Sequence, residues 1–300
     1  MGGKKSGVIS ESCFLKIMES QKKHKPAFSI EFFPPKTEEG KIKLRKTREE
    51  LARLNPAYIS VTYGAGGSTQ QGTLDTILEI KNAGIDAAPH LTCVGSTKEN
   101  IKALLQTYIN NGISRIVALR GDMPSGMHEM GELRYASELV EFIRAETGDH
   151  FHIEVAAYPE IHPQAKSATD DLEHFKRKVD AGASSAITQY FYNADAYFCF
   201  VDDCEKMGLD IPIVPGIMPI TNYKNLARFS EMCGAEIPRW LRKHLEGFGD
   251  DVASLRAFGQ QVSTQLAKTL LEQGAPGLHF YSMNQADSTQ AIWHELQLSN

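Results

Sequence analysis

Thr97-Lys-Glu-Asn-Ile-Lys-Ala-Leu-Leu-Gln-Thr-Tyr-Ile-Asn-Asn111, followed after three residues by Arg115-Ile-Val-Ala-Leu-Arg-Gly121, decides the fold. In the first stretch the apolar residues Ile101, Leu104, Leu105 and Tyr108 recur at helical spacing; the second is a short β-rich run that stops at polar residues. The same unit repeats along the chain. Strand-like runs are expected at Ala27–Phe33, Tyr58–Gly64, Asp86–Cys93, Arg115–Gly121, His152–Pro159, Ser185–Tyr192, Pro212–Pro219 and Gly277–Asn284, with helix-like stretches such as Asp170–Ala181 between them. Eight strand–helix units in 300 residues predict an α/β chain closed into a parallel (β/α)8 barrel of the TIM type. In that architecture the C-terminal ends of the strands carry the chemistry. Glu31, Thr62, His90, Arg120, Asp122, Tyr158, Gln189 and Tyr281 are therefore expected to converge on one polar, ionisable mouth.

The chain reads as one domain. Residues 1–25 form a tail and leading helix, the latter expected over Glu11–Lys23, and residues 26–300 form the barrel. The seventh unit is irregular: a helix-like run over Asn222–Met232 breaks at Cys233-Gly234, and Ile237-Pro238 starts an extra short helix placed to overhang the mouth. A final long helix is expected near Asp250–Gln273, and Ala286–Leu298 closes the ring.

Composition narrows the function. Lys plus Arg total 32 against 37 Asp plus Glu, a net charge of −5, which argues against general nucleic-acid binding while leaving room for a local phosphate pocket. No apolar run approaches the roughly 20 residues needed to span a bilayer, and the N-terminus has no apolar core of a secretory signal. The five cysteines lack a C-x-x-C pair, and the five-residue offset of Cys199 and Cys204 turns them apart on a helix. Reduced thiols in a cytoplasmic protein are the expectation. Ten histidines form no metal-ligand pattern, and lysines are scarce at strand ends, against a Schiff-base aldolase.

Several strand ends carry candidate chemistry. Glu31 stands among Phe32, Phe33, Pro34 and Pro35, which cannot solvate it, so its carboxyl is expected to titrate upward and serve as a general acid. The stretch Gly64–Thr69 is a glycine-rich turn without the G-x-G-x-x-G spacing. Arg120 and Asp122 point the same way on an extended chain; they pair with each other, or Arg120 takes phosphate while Asp122 faces the reacting group. Gly121 lets a flat ring approach the backbone. Tyr158 and His162 suit the wall of a planar cofactor. Asp171, His174 and Lys178, at i, i+3 and i+7, form either a solvated helix face or a diphosphate clamp. Gln189 can read a donor–acceptor edge.

Taken together, Ser29-Ile-Glu-Phe-Phe-Pro-Pro-Lys36, Val61-Thr-Tyr-Gly-Ala65, Ala88-Pro-His-Leu-Thr92, Ala118-Leu-Arg-Gly-Asp122, Ala156-Ala-Tyr-Pro-Glu160, Lys176-Arg-Lys-Val-Asp-Ala-Gly182, Ile187-Thr-Gln189, Pro215-Gly-Ile-Met-Pro219 and His279-Phe-Tyr-Ser-Met-Asn284 resemble methylenetetrahydrofolate reductases from about Pro26 onward. The resemblance implies a short bacterial-type enzyme without a regulatory domain. It further implies that FAD accepts hydride from NAD(P)H and passes it to 5,10-methylenetetrahydrofolate, giving 5-methyltetrahydrofolate in a ping-pong reaction. By motif match, Glu31 and Asp122 are the catalytic pair. FAD would be held by Thr62, His90, Arg120, Gly121, Asp122, Tyr135, Ala136, Tyr158, His162, Asp171, His174, Arg177 and Lys178. Glu31, Gln189, Asn225, Phe229, Tyr281 and Gln285 would meet the substrates. The partners implied are the folate and NAD(P)H, with a homo-oligomeric assembly. Three positions depart from the family pattern: Gln285 stands in place of an Arg, Asn225 in place of a Gln, and His174 in place of an Asn. The first bears on folate affinity and keeps open a flavin reductase of another one-carbon carrier. A non-catalytic flavin- or pterin-binding partner subunit is the reading from a different class.

Overall fold

The computed structural model describes residues 18–63, 70–121 and 131–300. In chain order the elements are α1 (Glu19–Lys22), β1 (Ala27–Phe32), α2 (Glu38–Ala52), β2 (Ile59–Val61), α3 (Gln70–Asn82), β3 (Ala87–Thr92), α4 (Lys98–Asn110), β4 (Arg115–Leu119), α5 (Ala136–Thr147), β5 (His152–Ala157), α6 (Ala168–Asp180) and β6 (Ser185–Thr188). Then come α7 (Ala194–Lys206), β7 (Ile213–Val214), β8 (Gly216–Ile217), α8 (Tyr223–Cys233), α9 (Arg239–Gly247), α10 (Val252–Glu272), β9 (Gly277–Tyr281) and α11 (Asp287–Glu295). The eight expected strands are all present, each ending one to four residues earlier than its apolar run. Of the leading helix only Glu19–Lys22 lies among the described residues.

All strand pairs are parallel, in the order β7-β6-β5-β4-β3-β2-β1-β9-β8. The two outer members of that list are halves of one strand, so the ring closes through Pro215, which has no N–H to give a ladder. Its carbonyl still accepts from the His279 amide at 3.0 Å, and the Gly216 amide donates to Thr188 Oγ1 at 3.0 Å. Gly216 is required by close approach: a Cβ there would sit 2.4 Å from the Thr188 carbonyl oxygen.

Helix starts follow the local chemistry. Thr37, Thr97, Ser167, Asn222 and Asp251 each cap the helix behind them by accepting an amide three residues on. Gly234, left-handed at φ 76°, ends α8 and lets α9 begin as expected. The main core lies between sheet and helices, with Ile30, Phe32, Ile59, Ile116, Ile153 and Phe280 pointing outward from the strands into it. Because strand side chains alternate, the intervening residues fill the barrel's interior. That interior is unusually polar: Ser29, Ser60, His90, Glu154 and His279 are all buried there beside a small apolar group of Tyr58, Ala88, Val117 and Ile187.

Among the described residues Cys93 and Cys204 are buried, Cys233 is half-buried and Cys199 is exposed. None of the described helices is long and apolar enough to cross a membrane.

Candidate active site

Glu31, the penultimate residue of β1, lies beside Tyr281 of β9 and Ser60 of β2. Its Oε2 lies 3.3 Å from His90 Nε2 and 3.6 Å from His279 Nε2. Neither nitrogen makes a well-formed hydrogen bond, so the grip is electrostatic. Burial pushes the Glu31 carboxyl up, but His279 and then His90 reverse the effect and hold it at about 2. This corrects the expectation of an upward shift. The reading weighed desolvation by Phe32, Phe33 and the prolines, yet Phe33 is exposed and the carboxylate's real neighbours are two imidazoles from strands distant in sequence. His279 was within reach of the sequence: it precedes Tyr281 by two residues and so shares its face, as Ser29 does with Glu31.

Beyond His90 opens a cavity of about 790 Å³ at the C-terminal ends of the strands, bounded by the start of α5 and one face of α6. Thr62, His90, Arg120, Gly121, Tyr135, Ala136, Tyr158, His162, Asp171, His174, Arg177 and Lys178 all line it. Residues assembled from four strand ends and two helices thus form one wall. Asp122 and the glycine-rich turn at 64–69 lie outside the described residues.

The details suit a large anionic ligand. Arg120 reaches Gln164 Oε1 at 2.6 Å, and Lys178 Nζ donates to the Ala156 carbonyl at 2.5 Å. Burial lowers the Lys178 ammonium to about 8, partly opposed by Asp171. Asp171 is engaged by the His162 amide at 2.9 Å, which ties the loop after β5 to α6. His174 stacks under Tyr135 at 6.1 Å and stands 3.6 Å from Asp170. The charged face of α6 is therefore a cavity wall rather than a solvated surface. Thr62 Oγ1 is buried with no hydrogen-bond partner among the described residues. Gly121, at φ +88°, presents backbone where a Cβ would lie 2.9 Å from Thr92 Cβ.

The residues expected to meet substrate are more dispersed. Tyr281 donates its hydroxyl to the Thr188 carbonyl at 2.8 Å, and Gln189 turns its Oε1 onto the Tyr190 amide at 3.0 Å. Asn225 and Phe229 share a face of α8; Asn225 is exposed, and Arg228 lies 5.1 Å over the Phe229 ring. Gln285 is exposed in the turn after β9. None of these five lines the cavity.

Barrel and site together define a (β/α)8 enzyme in which a cation-lined cleft for a large ligand adjoins a buried acid. The chain matches the family model described as methylenetetrahydrofolate reductase over residues 16–297 and belongs to that family. It is 44% identical over 271 residues to the 5,10-methylenetetrahydrofolate reductase of Escherichia coli strain K12, covering 89% of this chain and 90% of that one. It is 39% identical over 297 residues to methylenetetrahydrofolate reductase (NADH) 1 of Zea mays, covering 94% of this chain and 50% of the maize protein. Among solved structures, an uncharacterised Clostridium thermocellum protein that binds two copies of 5-methyl-5,6,7,8-tetrahydrofolic acid superposes with a TM-score of 0.65. That match covers 90% of this chain and 93% of the other at 22% identity, a likeness of fold.

Proposed function

We propose that this chain reduces 5,10-methylenetetrahydrofolate to 5-methyltetrahydrofolate with electrons from NAD(P)H, using a bound FAD and acting in the cytoplasm as a homo-oligomer. The observation that carries the reading is the contact of Glu31 with His90, which itself lines the cation-lined cleft. Those lining residues fit FAD. Arg120, Arg177 and Lys178 supply positive charge for a diphosphate within an acidic chain, His174 offers a ring nitrogen, Thr62 a buried hydroxyl with no partner among the described residues, and Gly121 admits a flat ring. The flavin, when bound, takes hydride from the nicotinamide and releases it to the folate.

The protein's own work is positioning and proton transfer. Glu31 delivers a proton to N10 of the folate; the bond from N10 to the bridging carbon breaks toward N10, and the lone pair on N5 forms the iminium that hydride then saturates. A carboxylate lowers the cost of that cation, the role we assign to Asp122. Phe229 stacks on the bound substrate, Gln189 and Asn225 read its polar edges, Tyr281 walls the site beside Glu31, and Gln285 meets the far end of the folate.

The test is the visible spectrum of the FAD-loaded protein, followed anaerobically. NADH should bleach the flavin, and methylenetetrahydrofolate should restore it. A flavin that bleaches and is not reoxidised by the folate removes the substrate assignment; a protein that cannot be loaded with FAD removes the reading altogether.

A further inference from the structure

The loop from Tyr158 to Lys166, between β5 and α6, is engaged on two sides. One side faces the cavity, which Tyr158, His162, Gln164 and Lys166 line. The other meets the turn between α8 and α9. There Glu160 Oε2 accepts the Glu236 amide at 2.7 Å. Pro163 packs so closely against Gly234 that a Cβ on that glycine would sit 2.6 Å from Pro163 Cγ. Ala235 and Ile237, the neighbours of Glu236, are both buried in the core. Among the described residues no cation pairs with Glu160; burial pushes its carboxyl up, and the Glu236 amide opposes that push.

The loop is fixed well enough to act as a strut. Asp171 of α6 holds the His162 amide at 2.9 Å, Arg120 after β4 donates to Gln164 Oε1 at 2.6 Å, and the Gln164 amide donates to His162 Nδ1 at 3.0 Å. On an extended chain Glu160 and His162 would point the same way. Between them the chain passes through Ile161 at φ +72°, a left-handed conformation that a β-branched side chain resists. That turn sends Glu160 to the α8–α9 side and His162 to α6. Such strain persists where the surroundings over-determine it, and here both flanking residues are tied. The helix on the far side, α8, is anchored near its C-terminal end. Ser230 Oγ lies 3.0 Å from the Tyr190 hydroxyl, and the turn bound by Glu160 and Pro163 follows four residues later.

We propose that Glu160 is a positioning residue for substrate binding: by holding the Glu236 amide it sets α8, and with it Phe229, against the wall that takes the flavin. The proposal rests on FAD lying in the cleft and on Phe229 meeting the substrates, and it names what fixes the gap between the two. A hydride donor and its acceptor must be held within about 3.5 Å of each other, so a small displacement of the stacking ring is felt at once. Two substrates that occupy one place in turn depend on the same gap. Loosening α8 therefore acts on NADH and on the folate alike. The flavin wall keeps its own ties to α6 and β4 through His162 and Gln164 and does not depend on Glu160.

The experiment compares FAD-loaded Glu160→Ala and Glu160→Gln with the native protein. Glutamine keeps a carbonyl oxygen for the Glu236 amide, and alanine removes it. In hydrogen–deuterium exchange, the segment 234–238 should exchange faster in Glu160→Ala and at the native rate in Glu160→Gln, while α6 stays protected. In stopped flow, the apparent dissociation constants for NADH in flavin reduction and for methylenetetrahydrofolate in reoxidation should rise together in Glu160→Ala. The expected rise is about three- to tenfold, the range that one hydrogen bond commands, with recovery in Glu160→Gln and no change in FAD affinity. Pro163→Ala thins the contact against Gly234 and leaves the hydrogen bond; it should raise both constants by less, and it supplies the test if Glu160→Ala does not fold. Substrate constants unmoved in Glu160→Ala and Pro163→Ala, a rise for one substrate alone, a loss of FAD affinity in their place, or a Glu160→Gln as impaired as Glu160→Ala overturns the proposal and leaves the reaction standing. A native holoenzyme whose reduced flavin the folate does not reoxidise would instead remove the reading on which it rests.

Discussion

The two ends of the barrel's interior are built on opposite terms. At the lower end every polar group in contact is matched: Tyr58 gives its proton to Glu154, Glu154 holds Arg115, and His152 meets Ser185 Oγ at 2.7 Å. At the mouth the same kinds of groups are left under-bonded. His90 and His279 face one carboxylate oxygen from 3.3 and 3.6 Å, and Thr62 Oγ1 has no partner among the described residues. Buried polar atoms without partners are costly, so their concentration at one end marks where a ligand supplies the missing bonds. The saturated end is architecture; the unsaturated end is where the proposed function puts the chemistry.

Substituting across that divide should separate activity from stability. The largest effect is expected at the mouth. Glu31→Gln should lower folate reduction by about 10²–10⁴-fold while FAD binding persists, read by stopped-flow reoxidation of the reduced enzyme. The same variant should change acid stability. With its carboxyl at about 2 in the fold and near the ordinary 4.5 when unfolded, Glu31 stabilises the chain fully above pH 4.5. That contribution is lost as pH falls toward 2, and the slope it causes should flatten in Glu31→Gln. Next in size is Arg115→Ala at the saturated end, which strands a buried carboxylate; a loss of about 3 kcal/mol in urea unfolding is expected. If Arg115→Ala were as stable as the native chain, the contrast between the two ends would fail. The smallest effect concerns the cleft wall. Lys178, lowered to about 8 by burial, should recover a proton when a diphosphate arrives. Calorimetry of FAD binding at pH 8 in buffers of different ionisation heat should then show uptake of a fraction of a proton, and Lys178→Met should abolish it.

The ring of strands was plain in the sequence because each run is apolar on its outward face and ends abruptly in polar residues. Part of the cleft was legible for a related reason: Arg120 and Tyr158 sit at strand ends that the fold rule gathers, whereas Asp171 and Lys178 read first as a solvated helix face and joined them only through the family resemblance. The state of Glu31 was not. Its titration depends on His90 and His279, which lie about 60 and 250 residues away in sequence and come within 4 Å only when the ring closes. Glu154 and Tyr58 escaped notice because an acid and a phenol within a β-rich run look like ordinary strand residues until a neighbouring strand supplies the cation and the acceptor. The break at Pro215 was hidden for the opposite reason: Pro212–Pro219 reads as one continuous run, and only the pairing shows that its two halves serve different neighbours.

That break divides the cup into unlike halves. The cavity wall made by β3, β4 and β5 hangs from strands of five or six residues, each paired on both sides. The opposite rim, with α8 and its Asn225 and Phe229, hangs from two dipeptides joined at a proline. Under the proposed reaction, the flavin would rest against the long, doubly paired strands, and the two substrates would meet in turn the rim carried by the two dipeptides.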